Sequence, residues 1–160
     1  MVSITLLCMG KLKEKFYLAA AEEYCKRMKA FADLRLIELP ELRLPEESNA
    51  AEIRQGLQKE AELIRARIPK GSFFCVFAPE GRELTSEELA AQLARVKASG
   101  RSSICFLIGS SFGVDDALKR EADLLLSMSR MTFPHHLARV MALEQIYRAE
   151  SIQAGTKYHK

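Results

Sequence analysis

Residues 106–116 read FLIGSSFGVDD, an apolar run that breaks at Gly109-Ser110-Ser111-Phe112-Gly113 and passes into residues suited to opening a helix. Two chemistries fit that spacing. Gly-x-Ser-x-Gly between a strand and a helix is the form of the hydrolase nucleophile elbow, with Ser111 as the attacking group. The same glycines, lacking a Cβ, equally allow a bound molecule to approach the main chain. Asp115, Asp116 or Asp123, followed by His135 or His136, even supplies the chain order Ser, Asp, His.

Other site chemistries find little footing. There is no G-x-x-x-x-G-K-[ST], and Gly109 with Gly113 does not make G-x-G-x-x-G, so neither nucleotide fingerprint is present. H-E-x-x-H is absent too, and no spaced set of zinc ligands stands out, so no metal is expected. Cys8, Cys25, Cys75 and Cys105 lie far apart without a C-x-x-C pair, and three of them fall in strand-like runs, where a thiol behaves as a small hydrophobe. They are expected to be reduced and inert.

The formal net charge of +3 is unevenly placed. Residues 1–127 hold 19 of the 24 Lys and Arg and 19 of the 21 Asp and Glu, so that part balances. The excess lies in residues 128–160, together with all three histidines. A basic end of this kind suits an anionic partner such as RNA, or is simply a solvated face.

These groups need elements to position them. The segments 2–8, 33–39, 72–78, 102–108 and 123–129 read as strands. Helices are expected from Lys15 to about Ala30, from Asn49 to about Arg67, from Thr85 to near Gly100, near 114–122, and from Pro134 to about Ala149. Asn49 with Glu52, and Thr85 with Glu88, have capping-box spacing. Strands alternating with helices imply an α/β fold, a mostly parallel sheet with helices on both faces. Ligands bind such sheets beyond the carboxyl ends of the strands, which singles out the loops 78–84, 109–113 and 128–133.

At 160 residues, with 48% hydrophobic and 28% charged residues, the chain reads as one globular domain over 1–160. No apolar run approaches the eighteen or so residues of a membrane span, and the start carries its charge after a short apolar stretch, so a cytoplasmic protein without membrane contact is expected.

The stretch LSMSRMTFPHHLARV, with FLIGSSFG before it and EQIYRA and the terminal YHK after it, resembles the small SPOUT-class RNA methyltransferases. Members of that family N3-methylate a pseudouridine in bacterial 23S ribosomal RNA. CMGKLKEKF and APEGRELTSEELA extend the likeness more weakly, so that it covers essentially the whole chain. The family usually carries two adjacent glycines where this chain has Gly109-Ser110, and that departure helps create the hydrolase pattern. Ser111 accordingly reads as a turn residue.

The resemblance implies a carboxyl-terminal trefoil knot, which composition and periodicity do not reveal. It also implies S-adenosylmethionine bound by Phe77, by Gly109, and by Met128, Ser129, Arg130, Met131, Thr132 and Phe133. Apolar walls with a few main-chain partners suit the flat adenine ring, although the same side chains would serve as ordinary core. A homodimer is implied as well, with the last helix, bearing Leu137, Val140, Met141, Leu143, Ile146 and Tyr147, against a second copy. A core helix would look similar.

Methyl transfer to a ring nitrogen needs alignment and removal of a proton. His135 and His159 are candidate bases, Arg139 a candidate cation for ring carbonyls or phosphate, and Tyr158 a stacking platform for an unpaired base. For His135 the alternative is a first-turn helix residue, and for the tail a frayed terminus. The substrate expected from the family is 23S rRNA in the assembled ribosome. The competing functions are a serine hydrolase and a non-catalytic RNA-binding module.

Overall fold

A computed structural model describes residues 1–160. Strand and helix alternate from end to end: β1 (Ser3–Met9), α1 (Lys15–Met28), β2 (Asp33–Leu39), α2 (Ala50–Arg65), β3 (Phe73–Glu83), α3 (Ser86–Ala98), β4 (Ser103–Ile108), α4 (Asp116–Glu121), β5 (Leu124–Ser127) and α5 (His135–Gln153). The strands make one sheet in the order β2-β1-β4-β3-β5, and all four pairings are parallel.

Alternation of side chains along each strand sends one set to either face. Ile4, Leu6, Phe106 and Leu126 face a layer containing Met28 of α1, Leu93 of α3, and Leu143 and Ile146 of α5. Leu7, Val76 and Leu107 face the other way, onto Ile64 of α2 and Leu118 of α4. The near-continuous apolar strands are what a parallel sheet covered on both sides requires. Three thiols, Cys8, Cys75 and Cys105, are buried in these layers, and burial drives all three well above the ordinary thiol range.

The expected caps form. Asn49 accepts the Glu52 N–H at 2.9 Å, and Thr85 with Glu88 makes a full capping box. α5 continues past the expected stop at Ala149 to Gln153 and closes in a Schellman turn, with Thr156 N–H donating to Ser151 and Gly155 N–H to Ile152. Gly155, at φ 69°, supplies the left-handed residue.

One boundary differs in kind. Pro79-Glu80-Gly81 was expected to end the third strand in a loop, yet β3 runs to Glu83. Leu126 of β5 pairs first with Phe77 and again with Arg82, so residues 78–81 bow out and return to the same partner. Gly81 permits this: a Cβ there would lie 2.7 Å from the Leu125 carbonyl group. The bow lies directly on the backbone of β5.

Candidate functional site

The bow within β3 and the segments that leave the carboxyl ends of β4 and β5 enclose a cleft of about 760 Å³. Phe77, Ala78, Pro79 and Glu80 come from the bow, residues 109–114 from the turn after β4, and Met128, Ser129 and Met131–His135 from the approach to α5. Each wall has a local cause.

The turn after β4 closes on itself. Gly113 N–H donates to the Ser110 carbonyl at 2.9 Å, and Gly113 adopts φ 94°. Gly109 is fixed by sterics, since a Cβ there would meet the Gly113 oxygen and a Val114 methyl, both at 2.6 Å. The glycine was expected to admit a ligand; its immediate task is to let the turn fold against itself. Ser110 is buried, and its hydroxyl donates to Glu60 Oε1 at 2.8 Å. Glu60 also accepts the Leu42 N–H at 3.0 Å, and burial raises its carboxyl above the ordinary range despite both bonds.

Before α5, the Ser129 hydroxyl accepts the Met131 N–H at 3.1 Å and the Ser129 carbonyl accepts from Ser127 Oγ at 2.9 Å. These short-range bonds hold the segment in a turn conformation. Met131 is 74% exposed and Phe112 44%, so two large apolar side chains flank the cleft in contact with water. Lys119 reaches Glu80 at 2.6 Å, a bond that holds Glu80 below its usual pKa and therefore ionised at the rim.

Among the residues expected to hold the cofactor, Phe77, Gly109, Met128, Ser129, Met131, Thr132 and Phe133 line the cleft. Arg130 does not: its side chain is 90% exposed and lies 3.6 Å from Glu83. His135 lines the cleft as well, with Nε2 buried, lacking a hydrogen bond, and 3.4 Å from Glu41 Oε2. Burial pushes this imidazole below its usual pKa, with Glu41 pulling it partly back, so it is neutral at pH 7.

Arg139 sits elsewhere. It is fully buried, with Nη1 donating to Glu38 at 2.6 Å and Nη2 to the Gly10 carbonyl at 2.9 Å. The expectation of an arginine free to meet RNA is corrected by this geometry, because α5 turns residue 139 inward.

The tail folds back onto its own chain rather than fraying. Tyr158 donates to Glu144 Oε2 at 2.7 Å, its ring meets Tyr147 edge-on at 4.7 Å, and the Arg148 guanidinium covers it at 4.7 Å. His159 lies between Arg148 at 3.1 Å and Glu87 at 2.7 Å. These residues do not line the main cleft. Glu144 borders a second hollow of about 370 Å³ that shares Phe77 and Met128 with the cleft.

The serine elbow fails on geometry. No residue other than glycine has positive φ, so Ser111 lacks the strained backbone that such a nucleophile needs. Its hydroxyl donates to Glu41 Oε1 at 3.1 Å, placing a carboxylate where the histidine should be. Asp115 caps α4 and Asp123 accepts the Phe74 N–H, so neither orients His135.

Glu41, Glu60 and Lys119 escaped the sequence reading. They follow no motif, and only the fold brings loop 40–49, α2 and α4 to the glycine turn.

Comparison with known proteins agrees with this architecture. The family model described as "Predicted SPOUT methyltransferase" matches residues 2–159. Proteins named ribosomal RNA large subunit methyltransferase H, from Bifidobacterium adolescentis and Streptococcus suis, are 45% and 41% identical over 159 residues, which covers 99% of this chain and 100% of each relative. A protein of the same name from Moorella thermoacetica is 40% identical over 160 residues, the full length of both. With the match running through every element that builds the cleft, the chain belongs to the SPOUT methyltransferase family.

Proposed function

We propose that the chain methylates N3 of a pseudouridine in bacterial 23S ribosomal RNA, using S-adenosylmethionine, as a homodimeric cytoplasmic enzyme whose one domain spans residues 1–160. The observation that carries this reading is the convergence of the bow, the glycine turn and the segment 128–134 on one cleft of about 760 Å³. That volume lies within the range of small-molecule sites. The names of the full-length relatives support ribosomal RNA as the substrate.

The residues present fit the cofactor. Phe77, Met128 and Phe133 offer apolar walls to a flat ring, and turn backbone offers N–H and C=O groups to its edge. When bound, S-adenosylmethionine supplies a methyl group already activated by its sulfonium.

The protein's remaining tasks are alignment and proton removal. His135 is neutral, and with Nε2 buried against Glu41 its other ring nitrogen, Nδ1, is the one able to accept the imide proton, after which Glu41 stabilises the imidazolium. Tyr158 and His159 hold the target base, from one subunit into its own or its partner's site. The docked tail, within reach of the hollow that adjoins Phe77 and Met128, supports that role.

On α5, Leu143 and Ile146 are consumed by the chain's own core and Tyr147 packs on Tyr24, Phe31 and Tyr158, while Leu137, Val140 and Met141 stay half-buried and are available to a second copy. The bow lying on β5 supports the threaded path that the family likeness implies. No helix is long and apolar enough to cross a membrane.

Calorimetric titration of S-adenosylmethionine into the pure protein tests the reading. Saturable binding is expected, and Phe77→Ala should weaken it. Absence of heat at millimolar ligand would leave a non-catalytic RNA-binding module as the better account.

A further inference from the structure

Lys11 and Lys13 lie on the segment joining β1 to α1 and Lys15 opens α1, and all three are exposed. Charges over residues 1–127 cancel in sum, so overall composition hides this cluster. Of the nearby carboxylates, Glu38 is bonded to Arg139 at 2.6 Å, while Glu14 stands between Lys13 and Lys15, 3.7 Å from His136 Nδ1. The first turn of α1 adds no acidic residue. Three exposed cations therefore outnumber the one carboxylate on this segment, Glu14.

The segment that carries them is held from inside. Gly10 N–H donates to the Leu39 carbonyl at 2.7 Å, and the Gly10 carbonyl accepts from Arg139 at 2.9 Å. Leu12 is buried, and its N–H donates at 3.1 Å to the same Glu38 oxygen that binds Arg139. Fixing the backbone beforehand reduces the ordering cost of binding.

Phe16 extends the array. It is 67% exposed, its ring centre 4.4 Å from that of Tyr17, and Tyr17 meets His136 edge-on at 6.5 Å. The surface is linked to the cleft wall through Glu41: a Cβ on Gly10 would lie 3.2 Å from Glu41, which in turn accepts from the cleft residue Ser111 at 3.1 Å and lies 3.4 Å from His135. Free ammonium groups beside an exposed aromatic ring suit a phosphate backbone with an unpaired base.

We propose that residues 10–16 form an RNA-contact surface beside the cleft, with Lys11, Lys13 and Lys15 on backbone phosphates and Phe16 on an unpaired base. Arg139 is its positioning residue, acting through Glu38 and Gly10 rather than touching RNA. The inference rests on the ribosomal RNA reading above.

Binding of the full chain to large ribosomal subunits, measured between 50 and 200 mM KCl, tests it alongside S-adenosylmethionine calorimetry on the same samples. In K11Q/K13Q/K15Q, affinity for subunits should fall about tenfold or more and the salt slope by about 2–3, with cofactor binding unchanged. Phe16→Ala should cost about fivefold or more without altering the slope. Arg139→Lys, which keeps charge but loses the forked contact, should raise KM for subunits at retained kcat. Loss of cofactor binding in that variant would make Arg139 merely structural and overturn its positioning role.

Unchanged affinity and slope in the triple variant overturn the surface. So does a triple variant that loses only its binding to phosphatidylglycerol vesicles. Wild-type protein that binds subunits but transfers no methyl group counts against the function reading instead, because binding is read separately from transfer.

Discussion

Gly109 and Gly113 touch across the turn after β4: a Cβ on Gly109 would fall 2.6 Å from the Gly113 carbonyl oxygen. Gly109→Ala should therefore distort the cleft wall, costing about 1–3 kcal/mol as overpacking does and weakening cofactor binding together with stability. Ser110→Gly removes a hydroxyl bound to the buried Glu60 at 2.8 Å and should lower stability by about 1–2 kcal/mol, near 2–8 °C in Tm. Thermal melts with and without S-adenosylmethionine measure both. A Gly109→Ala protein that melts and binds normally would show that the turn has room after all.

Glu60 makes a pH-dependent contribution. Its carboxyl titrates above its ordinary 4.5 in the folded chain because burial disfavours the anion. The fold thus binds this proton more tightly than the unfolded chain does, and Glu60 costs stability as pH rises from about 4.5 through its folded pKa. Glu60→Gln, which can still accept from Leu42 and pair with Ser110, should remove that dependence and be at least as stable at pH 8. Urea unfolding across pH 4–8 is the measurement. A large loss at pH 8 would mean that the ionised form is the stabilising one.

His135 has the opposite sign. Burial lowers its folded pKa below 6.5, so its contribution is complete above about pH 6.5 and is lost as pH falls through the folded value. The ring resonances of His135 should titrate below 6.5, and His135→Gln should flatten the acid side of the stability curve. Titration above 6.5 would show that Glu41 outweighs burial, and would remove the neutral base that the proton transfer needs.

The strand and helix pattern was legible because each parallel strand is a short apolar run and each helix is punctuated: Asn49 and Thr85 cap, and Gly155 turns the chain out of α5. The bow at 78–81 was not legible. Pro79 and Gly81 are turn residues by local chemistry, and only contact with Leu125 of β5 draws them back into the sheet. Most cleft residues could be named, since they follow strands whose carboxyl ends converge. Arg139 could not be placed, because the partners that bury it, Glu38 and Gly10, are 101 and 129 residues away in sequence. A basic residue on a helix reads as exposed until such partners are known.

Tyr158 and His159 are docked by Glu144, Arg148 and Glu87, and not by the cleft. Deleting residues 158–160 should leave folding and most S-adenosylmethionine affinity intact, while methyl transfer to ribosomes falls by about two orders of magnitude. Tyr158→Ala should act mainly on RNA affinity and His159→Ala mainly on turnover, as steady-state rates against ribosome concentration will separate. Full activity in the truncated protein would reduce the tail to a packed terminus.

Methyl transfer from the cleft to one base is tested most directly with labelled S-adenosylmethionine and ribosomes. The protein should place about one methyl group per large subunit, recovered by mass spectrometry of nucleosides as N3-methylpseudouridine, with short free hairpins labelled far more slowly than intact subunits. No incorporation, or label on a different nucleoside, would contradict the account.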